Sequence, residues 1–190
     1  MKSFLTGLKH RNPTLYWFGL YNLAVAIVCI ILAQFDSTQI LGISRWIKPM
    51  KFYASVFLMV WTMDWILYYL NNRKNIRVIT GFIVATMFFE NFLILLQSIR
   101  GVRSHFNVQT ATDGMLFGFM GMIILIFSFT IIYATWLFFR QKEFHITDSY
   151  LWGIRLGLLF FIIFSFEAGF MLALMAHTVG APDGGPGSRL

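Results

Sequence analysis

Five apolar runs follow one another within 190 residues, and each comes close to the roughly 20 residues that a helix needs to cross about 30 Å of hydrocarbon. They span about 15–35, 50–70, 76–98, 115–139 and 150–177. Their short connections leave no stretch long enough for a water-soluble core. The reading is a single membrane-embedded domain over residues 1–190, all-α, a polytopic bundle of five transmembrane helices. Composition agrees: 58% of residues are hydrophobic and 12% charged, where soluble domains run near 45–50% and about 25%.

Local signals place the helix ends. Pro13 suits the start of the first span and the polar stretch 36–39 closes it. Lys48 and Pro49 introduce the second, and Asn71, Asn72, Arg73 and Lys74 stop it and leave a tight turn into the third. The first span is too long for a signal peptide and no small-residue cleavage site follows it, so it is expected to stay as an uncleaved helix. Gly114, Gly118 and Gly121 share one face of the fourth span, and Gly153 and Gly157 repeat the small-xxx-small spacing in the fifth. Such glycines allow close helix approach, within the bundle or across a homo-oligomer contact. Cys29 is the only cysteine and sits mid-span, so no disulfide framework exists and the thiol reads as a small hydrophobe.

The formal charge of +7 does not read as a nucleic-acid surface, because Lys and Arg are scattered over every loop. With five spans, eight basic residues fall on the N-terminal side (Lys2, Lys9, Arg11, Arg73, Lys74, Arg77, Arg140, Lys142) and six on the other (Arg45, Lys48, Lys51, Arg100, Arg103, Arg189). That bias favours a cytoplasmic N-terminus and an external C-terminus, in a bacterial inner membrane. Cations kept on the external side against the rule point to chemistry there.

Four ionisable residues lie inside the spans, and charge at that depth is costly enough to mark functional or pairing positions. Asp64 and Arg155 sit at matched depth near the inner side, which predicts a structural ion pair. Glu90 and Glu167 fall near mid-bilayer with no cation at their level. Both cannot be ionised cheaply, so one is expected to be protonated and hydrogen-bonded, or cations reach down from the rim. Lys48, Lys51, Arg100, Arg103, His105 and His177 are the candidates for reaching down, with Lys51 expected to approach Glu90. Thr86, Glu90 and Gln97 share one helix face. The expectation is an outward-facing polar pocket between the second, third and fifth spans, open to an anionic small molecule or lipid headgroup and able to couple to protons.

Two further function classes stay open. His105 and His177 could ligate haem or contact a quinone in a redox subunit, although both stand at helix ends. A membrane enzyme could use Glu90, Glu167 or His105 as acid or base, although no nucleophile elbow, zinc-binding histidine pair, phosphate loop or dinucleotide fingerprint accompanies them. No metal-ligand spacing is present. The bland alternative is a rim of snorkelling cations over a hydrogen-bonded network.

The segments KPMKF at 48–52, RGVRSHFN at 100–107 and GAPDGGPG at 180–187 resemble an uncharacterised group of multi-spanning bacterial membrane proteins. The resemblance covers most of the chain and implies no activity. Such relatives continue into further spans, so the chain ending at Leu190 is expected to be a shortened form. Its closing Ser-Arg-Leu resembles a peroxisomal address, which directs soluble cargo and is read as coincidence.

Overall fold

A computed structural model describes residues 2–174. Six helices follow in order: α1 (Lys2–Arg11), α2 (Pro13–Phe35), α3 (Ile47–Leu67), α4 (Arg73–Ile99), α5 (Ala111–Arg140) and α6 (Asp148–Leu174). The last five are long and apolar enough to cross a membrane, so the protein is an all-α multi-pass membrane protein. The predicted spans are recovered with ends shifted by a few residues, except that the end of the fifth, at 177, lies outside the described residues. The tail 180–187 and His177 lie outside the described residues.

Capping chemistry sets the boundaries. The Asn12 side chain accepts from Leu15 N and Pro13 takes the first helical position of α2, where a missing N–H costs nothing. Asn72 accepts from Lys74 N and Asn75 N at the start of α4. At its far end Gly101 adopts φ 72°, and Val102 N donates to Gln97 O at 3.1 Å. This closing turn needs a left-handed residue, which is why glycine stands there.

Two elements lack an apolar signature and escape a reading by hydropathy. The short helix α1 buries Leu8 and lays Phe4 against Trp61 and Trp65. A two-stranded hairpin, β1 (Gln39–Ile40) and β2 (Ile43–Ser44), joins α2 to α3. Its turn holds Leu41 at φ 54° and Gly42 at φ 78°, positive at both central positions as a type I′ turn demands. Asp36 anchors the hairpin: Thr38 N, Arg45 Nε and Trp46 Nε1 donate to its carboxylate at 2.9, 2.6 and 2.8 Å. Those bonds, Thr38 foremost, hold the Asp36 carboxyl well below its ordinary range.

Packing is tightest between α2 and α3. A Cβ on Gly19 would lie 2.2 Å from Trp61 Nε1, so only glycine admits the indole there. The Trp61 ring stacks on Tyr16 and its Nε1 donates to Tyr16 O at 3.3 Å. The main core gathers Val60, Met63 and Leu67 of α3, Ile79 and Ile83 of α4, Ile131, Ala134 and Phe138 of α5, and Leu151, Ile154 and Leu158 of α6. Large apolar side chains outside it, such as Leu58, Phe129 and Phe164, are exposed and meet lipid.

Connections alternate between two ends. The proximal end carries α1 with the α3–α4 and α5–α6 turns, and the distal end carries the hairpin and the α4–α5 loop. Asn71 N donates to Gln141 Oε1 at 2.9 Å at the proximal end. Arg45 Nη1 donates to Ile99 O at 3.0 Å at the distal end.

Candidate functional site at the distal end

Polar side chains converge at the distal end from the first turn of α3, the distal third of α4, the α4–α5 loop and the first turn of α5. Among the described residues the site takes nothing from α6. The polar pocket expected to include the last span is therefore built from different neighbours, because it is α5, rather than α6, that packs along the distal part of α4. Two clusters lie side by side.

The first is a closed knot around Asp113. Thr110 caps α5 by accepting from Asp113 N at 3.1 Å, and its hydroxyl donates to Asp113 Oδ2 at 2.7 Å. The other oxygen, Oδ1, accepts from Arg100 Nη1 at 2.7 Å and from Gln97 Nε2 at 3.2 Å. Arg100 also donates to Gln97 Oε1, so every polar group of Gln97 and both carboxylate oxygens are used. Gln97, expected on the polar face with Thr86 and Glu90, and Arg100, expected at the cationic rim, are thus bonded to one another and to Asp113. The Thr110-x-x-Asp113 spacing before an apolar run is a capping-box signature and was the sequence signal for it.

The second cluster is open. His105 stands between Lys48 and Glu90: its Nδ1 lies 3.2 Å from Lys48 Nζ, and its Nε2 lies 3.6 Å from Glu90 Oε1. An ammonium group can only donate, so Nδ1 is the acceptor and the ring proton sits on Nε2, directed at the carboxylate. Ser104 Oγ is also 3.1 Å from Nδ1. Burial, with the Lys48 ammonium adding to it, pushes the imidazole down to about 3, so the ring is neutral between a cation and an acid. Phe52 and Phe117 flank the ring with centroids 5.8 and 6.2 Å away and help to exclude water.

Glu90 is 2% exposed, and neither of its oxygens has a hydrogen-bond partner among the described residues. Native proteins seldom leave a buried carboxyl group in that condition, because the lost solvation is not recovered. Lys48 makes no ion pair with Glu90 but acts on it electrostatically from the other side of the imidazole. Lys51, expected to approach Glu90, is exposed. Lys48 and Phe52, four residues apart, are the side chains of this turn that meet His105. Arg103 lies half-buried in the same loop, its carbonyl accepting from Asn107 Nδ2 at 3.2 Å.

The remaining predicted residues are placed elsewhere. Glu167 is exposed on α6 and joins neither cluster. Asp64 and Arg155 do not form the expected pair. Arg155 Nε donates to Phe138 O at 3.0 Å, and its guanidinium lies over the rings of Phe139 and Trp152 at 5.1 and 5.3 Å. Asp64 is fully buried, and both of its oxygens lack a hydrogen-bond partner among the described residues. Equal depth does not fix azimuth: α3 turns Asp64 into the bundle, whereas α6 turns Arg155 along α5 and the α5–α6 turn.

One internal polar contact gave no signal at the sequence level. Asn22 of α2 and Asn91 of α4 are both buried, Asn91 Nδ2 donating to Asn22 Oδ1 at 2.8 Å and Asn22 Nδ2 to Phe18 O at 2.7 Å. Two asparagines 69 residues apart read as isolated oddities until α2 and α4 are side by side.

Compared with family models, curated proteins and solved structures, the chain finds no match in any of the three. The reading of the site rests on its own chemistry.

Proposed function

We propose that this protein is a proton-linked binding or translocation protein of a bacterial inner membrane, with its N-terminus cytoplasmic, and that Lys48, His105 and Glu90 form its proton-handling site. The observation that carries the reading is the unpartnered, buried Glu90 carboxyl group beside a neutral imidazole. The ring can pass a proton inward in one step: Nδ1 takes one from Lys48, which regains its own from solvent and stays cationic, as Nε2 releases its proton to Glu90, and a rotation of the ring resets it. Closing the 3.6 Å gap needs only a small side-chain shift. Proton uptake at Glu90 cancels its charge and leaves Lys48 as an uncompensated cation at the rim. With the exposed Lys51 beside it, that cation would attract an anionic small molecule or headgroup. Proton and anion binding are then reciprocally coupled.

A haem-ligating pair has less support. His105 Nδ1 faces Lys48 and its Nε2 faces Glu90; His177, the partner expected for it, lies outside the described residues, and His10 and His145 lie toward the proximal end.

Infrared difference spectra recorded across a pH step test the proposal. A protonated carboxyl band should appear on acidification, vanish in Glu90→Gln and change its pH midpoint in His105→Gln. No such band, or one untouched by Glu90→Gln, would remove the proton site.

A further inference from the structure

An apolar groove of about 470 Å³ opens at the proximal half of the bundle between α3, α5 and α6, far from the distal clusters. Its walls include Met59, Met63 and Ile66 of α3, Ile131 of α5, and Gly157 and Phe161 of α6. The volume falls within the roughly 300–1,000 Å³ typical of small-molecule sites. Gly153 and Gly157 create the space, since a Cβ on either would meet nothing within 4 Å.

Shape and polarity distinguish this groove from a packing defect. Along α6 it extends from Ser149 to Phe161, a rise of about 18 Å at 1.5 Å per residue. That is slightly more than one leaflet of a hydrocarbon core about 30 Å thick. The polar lining residues are gathered mainly at the proximal mouth, where Ser149 and Tyr150 stand. Tyr150 OH accepts from Trp65 Nε1 at 2.8 Å and is hydrogen-bonded to the Tyr69 side chain, which sets two phenol hydroxyls side by side at the mouth.

A cation is held at the same mouth. The Arg11 guanidinium lies 3.7 Å over the Trp65 ring and 5.3 Å from the Tyr69 ring, and Tyr69 meets Tyr150 edge-on at 5.7 Å. Arg11 Nη1 donates to Trp65 O at 3.0 Å. Among the described residues no carboxylate makes a direct ion pair with Arg11; the buried Asp64 feels its charge at longer range, and the flanking acid, Asp148, is exposed. An arginine fixed by aromatic faces at interfacial depth keeps most of its charge for a ligand.

We infer that this groove binds an anionic phospholipid of the proximal leaflet, its acyl chain lying along Gly153 and Gly157 and its phosphate at Tyr150 and Arg11. The hydrocarbon fills a cleft that no described side chain fills, and the phosphate supplies an anion in direct reach of Arg11, whose carboxylate neighbour Asp64 acts only at longer range. One arginine near a membrane surface is worth about a fivefold preference for an anionic headgroup.

The test is thermal stability of the purified protein in detergent, titrated with phosphatidylglycerol, with phosphatidylcholine of the same chains, and with glycerol phosphate alone. Phosphatidylglycerol should raise the unfolding midpoint at about one-fifth the concentration that phosphatidylcholine needs, and glycerol phosphate should not raise it. Gly157→Leu fills the groove and should abolish both lipid responses. Arg11→Gln, which leaves the groove wall intact, should keep the chain-dependent response and lose the preference between headgroups. Equal responses to the two lipids, a response to glycerol phosphate alone, or a preference that survives Arg11→Gln would each overturn the inference, whether or not Gly157→Leu folds.

Discussion

Asp113 and Glu90 are buried carboxyl groups at the same end of one bundle, yet their surroundings differ in kind. Asp113 accepts from a hydroxyl, a guanidinium and an amide side chain, and its backbone N–H is capped by Thr110. Glu90 accepts from nothing among the described residues, and its nearest donor is held 3.6 Å away on a neutral ring. The first arrangement is complete and can only be broken. The second is incomplete and can change state by moving one proton. If Glu90 carries the proposed proton step, unmet hydrogen bonding separates it from Asp113, and the imidazole beside it separates it from the equally unpartnered Asp64.

The largest effect should come from breaking the complete cluster. Asp113→Leu strands Arg100, Gln97 and Thr110 together, so it should lower the thermal midpoint in detergent more than the loss of any other side chain at the distal end. Glu90→Gln should be mild by comparison, because it removes no existing hydrogen bond. If Glu90→Gln proves the more damaging, the contrast between the two acids collapses.

Acid should act next, through His105. Its imidazole in the folded protein is pushed down from 6.5 to about 3, so below pH 6.5 the unfolded chain takes a proton that the folded one refuses. Stability should fall as pH drops from about 6.5 toward 3, by at most about 1.4 kcal/mol per pH unit for one proton. His105→Gln should flatten that slope. Asp36 adds a separate loss at lower pH, because its carboxyl is held below the ordinary 3.8 and its bonds fail only as it protonates. A pH profile identical in His105→Gln would show that the ring is not held neutral by its surroundings.

Asp64 sharpens the comparison from the proximal end. A fully buried acid with no hydrogen-bond partner recovers little of its desolvation from the longer-range attraction of Arg11, so Asp64→Leu should be neutral or stabilising, by up to about 1–4 kcal/mol. Combined with Arg155→Leu, its effect should add to within about 0.5 kcal/mol, since the two side chains do not meet. A coupling energy well above that would restore the pair expected from depth alone.

The smallest effect belongs to the internal amide pair. Asn91→Leu removes a hydrogen bond inside the membrane and should cost about 0.6 kcal/mol, the average for such contacts. A loss several times larger would mean that Asn91 Oδ1, which has no partner among the described residues, is bonded in the membrane.

How far the sequence could be read depended on which kind of information a feature carries. The five spans were legible because hydrocarbon imposes a length and a composition on any helix that crosses it, and those are properties of consecutive residues. Helix α1 and the 39–44 hairpin were missed, since neither is long and apolar, although Gly42 and the alternation around it are local signals. In the site, Lys48, Glu90 and His105 were each picked out as costly or cationic at the right end. Their contact was not, and Lys51 was favoured over Lys48.

The sequence by itself determined the class of solvent, the number of spans, the end at which polar side chains gather and the position of each intramembrane charge along its helix. Rise along a helix is fixed at 1.5 Å per residue, so that position follows from counting. Rotation about the helix axis, and the choice of which helix stands beside which, belonged to the tertiary structure. Side-chain packing across α3, α4 and α5 turned Asp64 inward without a partner, gave Arg155 to Phe138, spent Gln97 and Arg100 on Asp113, and set His105 between Lys48 and Glu90. Each of those outcomes depends on contacts between side chains on different elements, and no count along one helix contains them.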